Sequence, residues 1–288
     1  MFNTPSLREA VCRCVNLGAA FERYRQYRGL WAPGIPMWEV ATAPVVPMLA
    51  LAERLREDRY KPYAPRHLSI AKANGERREL GVFMIRDRVA QRAVLQVLQA
   101  RTDARMSPYS FGFRPHRGVA GALGCVRGFL NSGLTWVVDA DIEHCFDRIP
   151  RDLLLQEIER RLDAEAADLV TRVMGWTQPG AREQVGIPQG AVLSPWLCNI
   201  YLWQLDDAMR ERGAAMVRFA DDFVLLTVNA SLAARLRELC AAVLTGMRLR
   251  LHPDKTAIVH GTTPFHFLGQ WLSPTPLLRH LPATPAGV

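Results

Sequence analysis

Three aspartates carry the chemistry of this chain. Met216 to Thr227 reads as two apolar, β-prone runs meeting at Asp221-Asp222, the pattern of a strand, a tight turn and a returning strand. Adjacent carboxylates at such a tip repel each other unless a cation lies beside them. A third acid stands in a matching context. The β-branched and aromatic run from Thr135 ends at Asp141, and Pro150 follows where a helix would begin, ahead of the amphipathic stretch Leu153 to Leu162. A strand-end aspartate facing a hairpin-tip pair is a donor set for magnesium, which takes one or two carboxylates and shares its remaining positions with substrate phosphates. Two such ions activate an attacking hydroxyl and stabilise a leaving oxygen, the requirements of phosphoryl transfer. For the pair taken alone, the competing reading is an Asp-Asp surface turn.

The surrounding residues carry a family resemblance. Phe219-Ala220-Asp221-Asp222 resembles the YADD box of reverse transcriptases with Phe in place of Tyr, and Asp141 to Phe146 resembles their first catalytic box. Gly186 to Leu202, with Pro188-Gln189-Gly190 and Ser194-Pro195, is similar to the segment that lines the nucleotide pocket. Lys72 to Gly81, Ile85 to Ala93 and Ser110 to Pro115 resemble the fingers of bacterial group II intron reverse transcriptases, and Leu251 to Thr256 and Phe267-Leu268-Gly269 match the last two palm boxes. Each box alone is weak; their order across roughly residues 60 to 272 is specific. The chain departs from the pattern at Glu79, where a Pro is usual, and at Val82-Phe83-Met84, in place of Ile-Pro-Thr. It lacks the boxes of retron enzymes and the Ser-Gln variant of diversity-generating retroelements, so the resemblance is to group II-like enzymes, including those encoded beside CRISPR adaptation genes.

The resemblance implies an α+β fold: right-hand polymerase fingers and palm, the antiparallel palm sheet backed by helices. It implies RNA-directed DNA synthesis, with Asp141, Asp221 and Asp222 holding two Mg2+ ions, or Mn2+. Lys72 and Arg78 would clamp the incoming triphosphate, unless they belong to a solvated basic hairpin. Gln189 would lie under the nucleotide sugar, with Pro188 and Gly190 allowing close backbone approach. The Phe146 ring would fill the space a 2′-hydroxyl needs. Lys255 would donate a proton to pyrophosphate or form an ordinary salt bridge. Phe267, Leu268 and Gly269 would grip the primer or pack as core. The implied partners are an RNA template, a DNA or RNA primer and deoxynucleoside triphosphates. Three other readings stay open. An RNA-dependent RNA polymerase normally carries GDD at the hairpin and a smaller or polar residue at the Phe146 position. Against a non-polymerising RNA-binding scaffold stand the intact carboxylates. Untemplated or protein-primed DNA synthesis in antiviral defence would use the same residues.

Composition agrees. The 288 residues are 49% hydrophobic and 22% charged, enough for one or two buried cores, and the net charge of +8 suits a polyanionic partner. Only three of the 36 basic residues are lysines, and Lys72 and Lys255 fall in the boxes; arginine grips phosphate through a planar fork, whereas lysine offers a point charge or a proton. The six cysteines show no CxxC pairing and read as buried thiols in a reducing cytoplasm. Seven scattered histidines form no HExxH or HNH-like cluster, which argues against an appended nuclease. No apolar signal core is present, and residues 44 to 52 are too short and Pro-broken to span a bilayer, so the expected location is cytoplasmic, without membrane contact. The expected organisation is a helical N-terminal extension at 1–59, irregular and Pro-rich from Trp31 to Pro47 with a helix from Met48 to Arg59; fingers at 60–134; palm at 135–272, with 163–183 returning to the fingers; and an irregular tail at 273–288. Group II-type enzymes continue into a helical thumb where this tail begins. The resemblance therefore implies weak, salt-sensitive primer-template binding and a protein or structured RNA, such as a CRISPR adaptation complex, on the thumb side.

Overall fold

A computed structural model of the chain describes residues 5–71, 75, 77–260 and 263–273. Lys72 and tail residues 274–288 lie outside the described residues. The fold is α+β, as expected. Its contacts divide it into two units that interleave along the chain: Met1–Pro108, Glu143–Gln204 and Thr245–Leu249 form the first, and Tyr109–Ile142, Leu205–Leu244 and Arg250–Val288 the second.

The first unit is largely helical. Ser6 and Glu9 form a reciprocal capping box on the helix Leu7–Val11, and Cys14–Glu22 follows. The Pro-rich stretch expected to be irregular instead holds a short hairpin, β1 (Leu30–Ala32) and β2 (Ile35–Pro36), and the helix Met37–Thr42. The prolines punctuate these elements rather than abolish them: Gly34, at φ +76°, turns the hairpin, and Pro36 precedes the helix with a φ already suited to it. The next helix is Val45–Arg56, starting earlier than its amphipathic pattern suggested, because Pro47 falls in the first turn, where a missing N–H leaves no bond unmade. Antiparallel β3 (Arg66–Ala71) and β4 (Arg77–Val82) form an exposed ribbon. Pro150 caps the helix Arg151–Arg161, and the Asp163 carboxylate accepts from Ala166 N at 2.8 Å to start Ala164–Val173.

The helix Ile85–Thr102 buries Val89, Ala93, Val94 and Leu98. Its first turn is fastened by Asp87, whose fully buried carboxylate accepts from Tyr60 Oη at 2.6 Å, Tyr63 N at 3.0 Å, and Arg86 Nε and Nη2 at 3.1 and 2.8 Å. Arg86 also donates to the Lys61 carbonyl at 2.7 Å and stacks on the Tyr63 ring, 4.0 Å from its centroid.

The second unit is built on β5 (Trp136–Asp141), β6 (Ala215–Phe219), β7 (Asp222–Thr227) and β8 (Ala257–His260), an antiparallel sheet in the order β6-β7-β5-β8. Leu123, Val126 and Leu130 of the helix Val119–Asn131 pack on Val137, Val217, Val224 and Leu226 of the sheet. Phe265, Phe267 and Leu272, from the hairpin of β9 (Phe265–Phe267) and β10 (Gln270–Leu272), complete that core.

Cys12, Cys145, Cys198 and Cys240 are buried thiols, but Cys125 is only partly buried and Cys14 is exposed, because it opens a helix whose inward face is formed by Leu17 and Phe21. Among the described residues no helix is long and apolar enough to cross a membrane.

Asp87→Ala should destabilise the protein by about 3–5 kcal/mol, since it strands a buried guanidinium and a tyrosine hydroxyl. Urea unfolding followed by circular dichroism measures this; a loss under 1 kcal/mol, the scale of a surface ion pair, would contradict it.

Candidate active site

The three aspartates fall at one end of the second unit's sheet. The β6–β7 register pairs Phe219 with Asp222, which leaves Ala220 and Asp221 as a two-residue turn. The β5–β7 register places Asp141 opposite Asp222. The loop after β5 is held from both sides: Ile142 N donates to the Asp221 carbonyl at 3.3 Å, and His252 N donates to the Asp141 carbonyl at 2.8 Å. Lys255 Nζ lies 3.0 Å from Asp141 Oδ2.

Burial, more than any single neighbour, pushes the Asp222 carboxyl up to about 7; the charges of Asp139, Asp141 and Asp221 push the same way, and Lys255 opposes them. Asp221 is also raised, first by burial, while its backbone bond, Lys255 and Arg218 hold it down and Asp141 adds repulsion. Asp139 is raised to about 6 by burial, with His266 opposing and Asp141 reinforcing. The sequence reading gave Asp139 no role, yet strand periodicity was signal enough: two residues before Asp141 on β5, it shares that residue's face. This crowd of carboxylates fits a divalent cation, which would relieve the repulsion that raises them. Among the described residues no three His, Cys, Asp or Glu side chains stand close enough to hold an ion as placed, and the Lys255 ammonium, 3.0 Å from Asp141 Oδ2, supplies the local positive charge.

The remaining predicted residues divide between the units. Arg78 sits exposed on β4, opposite Ile70. Phe146 is half-buried, and its carbonyl accepts from Ile187 N at 2.8 Å, fastening its short helix, Cys145–Arg148, to the start of the PQG loop. Gln189 donates through Nε2 to Asp147 Oδ1 at 3.2 Å, while its carbonyl accepts from Gly81 N at 2.7 Å. Gly190 does permit a close backbone approach, but the group that approaches is β4: a Cβ on Gly190, at φ +97°, would lie 2.5 Å from the Gly81 carbonyl oxygen. Ser194 Oγ closes the loop onto the Pro188 carbonyl at 2.6 Å, and Gln91, which the sequence reading did not single out, accepts from Val192 N at 2.8 Å. In the second unit Phe267 spends its ring in the core, while Leu268 and Gly269, at φ +49° and +79°, form the tip between β9 and β10.

With this geometry in place, comparison with known proteins identifies the class. A model of the family "Reverse transcriptase (RNA-dependent DNA polymerase)" matches residues 70–272. The chain is 32% identical over 271 residues to Protein YkfC of Escherichia coli K12, covering 79% of this chain and 71% of that protein. It is also 32% identical over 162 residues to the group II intron-encoded protein LtrA of Lactococcus lactis, covering 54% of this chain and 27% of LtrA. Its fold matches a structure of telomerase from Candida albicans with a TM-score of 0.58 at 15% identity, over 74% of this chain and 44% of that one. The chain belongs to the reverse transcriptase family, a family of RNA-directed DNA polymerases, and its relatives include group II intron-encoded proteins.

If the carboxylates form a cation site, Mn2+ should raise the thermal midpoint of the protein in a concentration-dependent way. Asp222→Asn should raise the midpoint of the metal-free protein, by removing a buried like charge, and abolish the Mn2+ response. A variant that responds to Mn2+ like wild type would remove Asp222 from the site.

Proposed function

We propose that this chain extends a primer 3′-hydroxyl with deoxynucleotides on an RNA template by metal-dependent nucleotidyl transfer. The observation that carries this reading is the meeting of Asp141 and Asp222 across β5 and β7, with Asp221 in the adjoining turn, in a chain of this family. Asp141, Asp221 and Asp222 would hold the Mg2+ or Mn2+ ions. Bound there, the ions would lower the pKa of the primer hydroxyl and neutralise charge on the triphosphate, the main catalytic needs of phosphoryl transfer.

The chain's own residues supply the rest. Arg78 on its exposed ribbon, with Lys72, offers cationic donors to the triphosphate. Gln189, oriented by Asp147, addresses the sugar. Phe146 excludes a 2′-hydroxyl by steric clash, which favours deoxynucleotides. The tip at Leu268 and Gly269 would contact the primer. For Lys255 the salt bridge is the better supported of its two readings: its hydrogen bond to Asp141 raises its pKa, away from the range in which an ammonium serves as a general acid near neutrality. Similarity to group II intron-encoded proteins supports an RNA template, and a protein or structured RNA, such as a CRISPR adaptation complex, would complete the thumb side.

Primer extension on RNA and DNA templates, with deoxy- and ribonucleotides, tests this reading. Wild type should extend with deoxynucleotides on RNA, and Asp222→Asn should not. Phe146→Ala should admit ribonucleotides, narrowing discrimination by about tenfold or more, the scale of pocket-based steric selection. If Phe146→Ala discriminates as well as wild type, the ring is a packing residue.

A further inference from the structure

The β6–β7 turn holds an unusual backbone conformation that the carboxylates alone do not explain. Ala220 has φ +60°, a left-handed value that costs a non-glycine residue of the order of 1 kcal/mol and persists only where the surroundings impose it. A two-residue hairpin turn calls for positive φ at this position, where glycine is usual, and two features of the second unit hold Ala220 in it. From outside the turn, Gly112 lies so close that a Cβ there would come within 2.4 Å of Ala220 N and 3.0 Å of the Phe219 carbonyl carbon. From inside, Arg218 donates through Nη1 to the Ala220 carbonyl at 2.9 Å.

That guanidinium is 1% exposed. Its Nε and Nη2 reach the two oxygens of Asp206, itself 4% exposed, at 2.7 and 2.5 Å, a bidentate fork that fixes its plane. The Arg218 main chain is fixed as well: its N–H donates to the Tyr109 carbonyl and its carbonyl accepts from Phe111 N, both at 2.9 Å. Arg218 is thus held at both its main chain and its side chain, and one of its donors points at the turn that carries Asp221.

We propose that Arg218, oriented by Asp206, is a positioning residue for the cation site: by holding the Ala220 carbonyl it keeps the turn left-handed and so aims the Asp221 and Asp222 carboxylates. The proposal rests on the assignment of those carboxylates as metal ligands. It assigns Arg218 no contact with metal or nucleotide. Gly112 has a matching role, as the one residue type that lets the chain lie against the turn.

A merely electrostatic role would be preserved by lysine; a positional one would not, because an ammonium cannot span both Asp206 oxygens and the Ala220 carbonyl in one plane. The test is Mn2+ binding, measured by electron paramagnetic resonance of free Mn2+, on wild type, R218K, the double variant R218M/D206L and D222N, with near-ultraviolet circular dichroism to establish folding. Replacing both partners by apolar residues of similar bulk leaves no stranded charge, so R218M/D206L is expected to fold. Folded R218M/D206L and R218K should each bind Mn2+ about tenfold more weakly than wild type, the scale of a lost supporting partner of a ligating group. Mn2+ affinity within twofold of wild type in either folded variant would overturn the positioning role; R218K decides the matter if the double variant does not fold. Unchanged Mn2+ binding by D222N would instead overturn the metal assignment on which the proposal rests.

Discussion

A guanidinium sealed inside the second unit is the constraint around which the carboxylate-bearing end of its sheet is arranged. An unpaired charge in that position would cost several kcal/mol; Arg218 tolerates burial because Asp206 takes two of its donors and the Ala220 carbonyl a third. The hairpin therefore cannot relax without exposing or stranding a charge. Each of the elements involved, β6 with Arg218, the helix Ser194–Glu211 with Asp206 and the 109–112 segment, is fastened to the same few atoms.

Rigidity there serves tension nearby. Burial and mutual repulsion raise the carboxyls of Asp139, Asp221 and Asp222, and Lys255 offsets only part of that unfavourable charge. Left to itself such a cluster would splay or take up protons. Held on a sheet end by that turn, it would keep the affinity for cations that the proposed metal-dependent polymerisation needs before substrate arrives.

How much of this was legible in the sequence depended on the range of the interactions. The β6–β7 hairpin, β5 and the helix after Pro150 were readable because apolar β-prone runs, adjacent acids and a proline are local signals. The fully buried register of β7, which turns every residue after Asp222 into core, followed from its continuous apolar run. Arg218 was not readable as a buried fork: it looks like one more arginine in a basic chain, and its partner lies twelve residues upstream on a helix. Gly112 and Gly190 sat inside recognised boxes, but the backbones they admit, Ala220 and Gly81, are set by tertiary approach. For Phe267 the sequence left two readings, a primer contact or core packing, and the structure puts its ring in the core. Local signals reached as far as the candidate aspartates, whereas the groups packed against their turn come from distant segments.

The central proposal is that Asp141, Asp221 and Asp222 bind a divalent cation. Anomalous diffraction at the manganese edge from crystals soaked in Mn2+ tests it most directly. The account predicts a peak within ligand distance, roughly 2.0–2.3 Å, of oxygens from Asp141 and from the Asp221-Asp222 turn, with Lys255 displaced from Asp141. Saturating Mn2+ with no peak at these carboxylates, or a peak held by other residues, would contradict it.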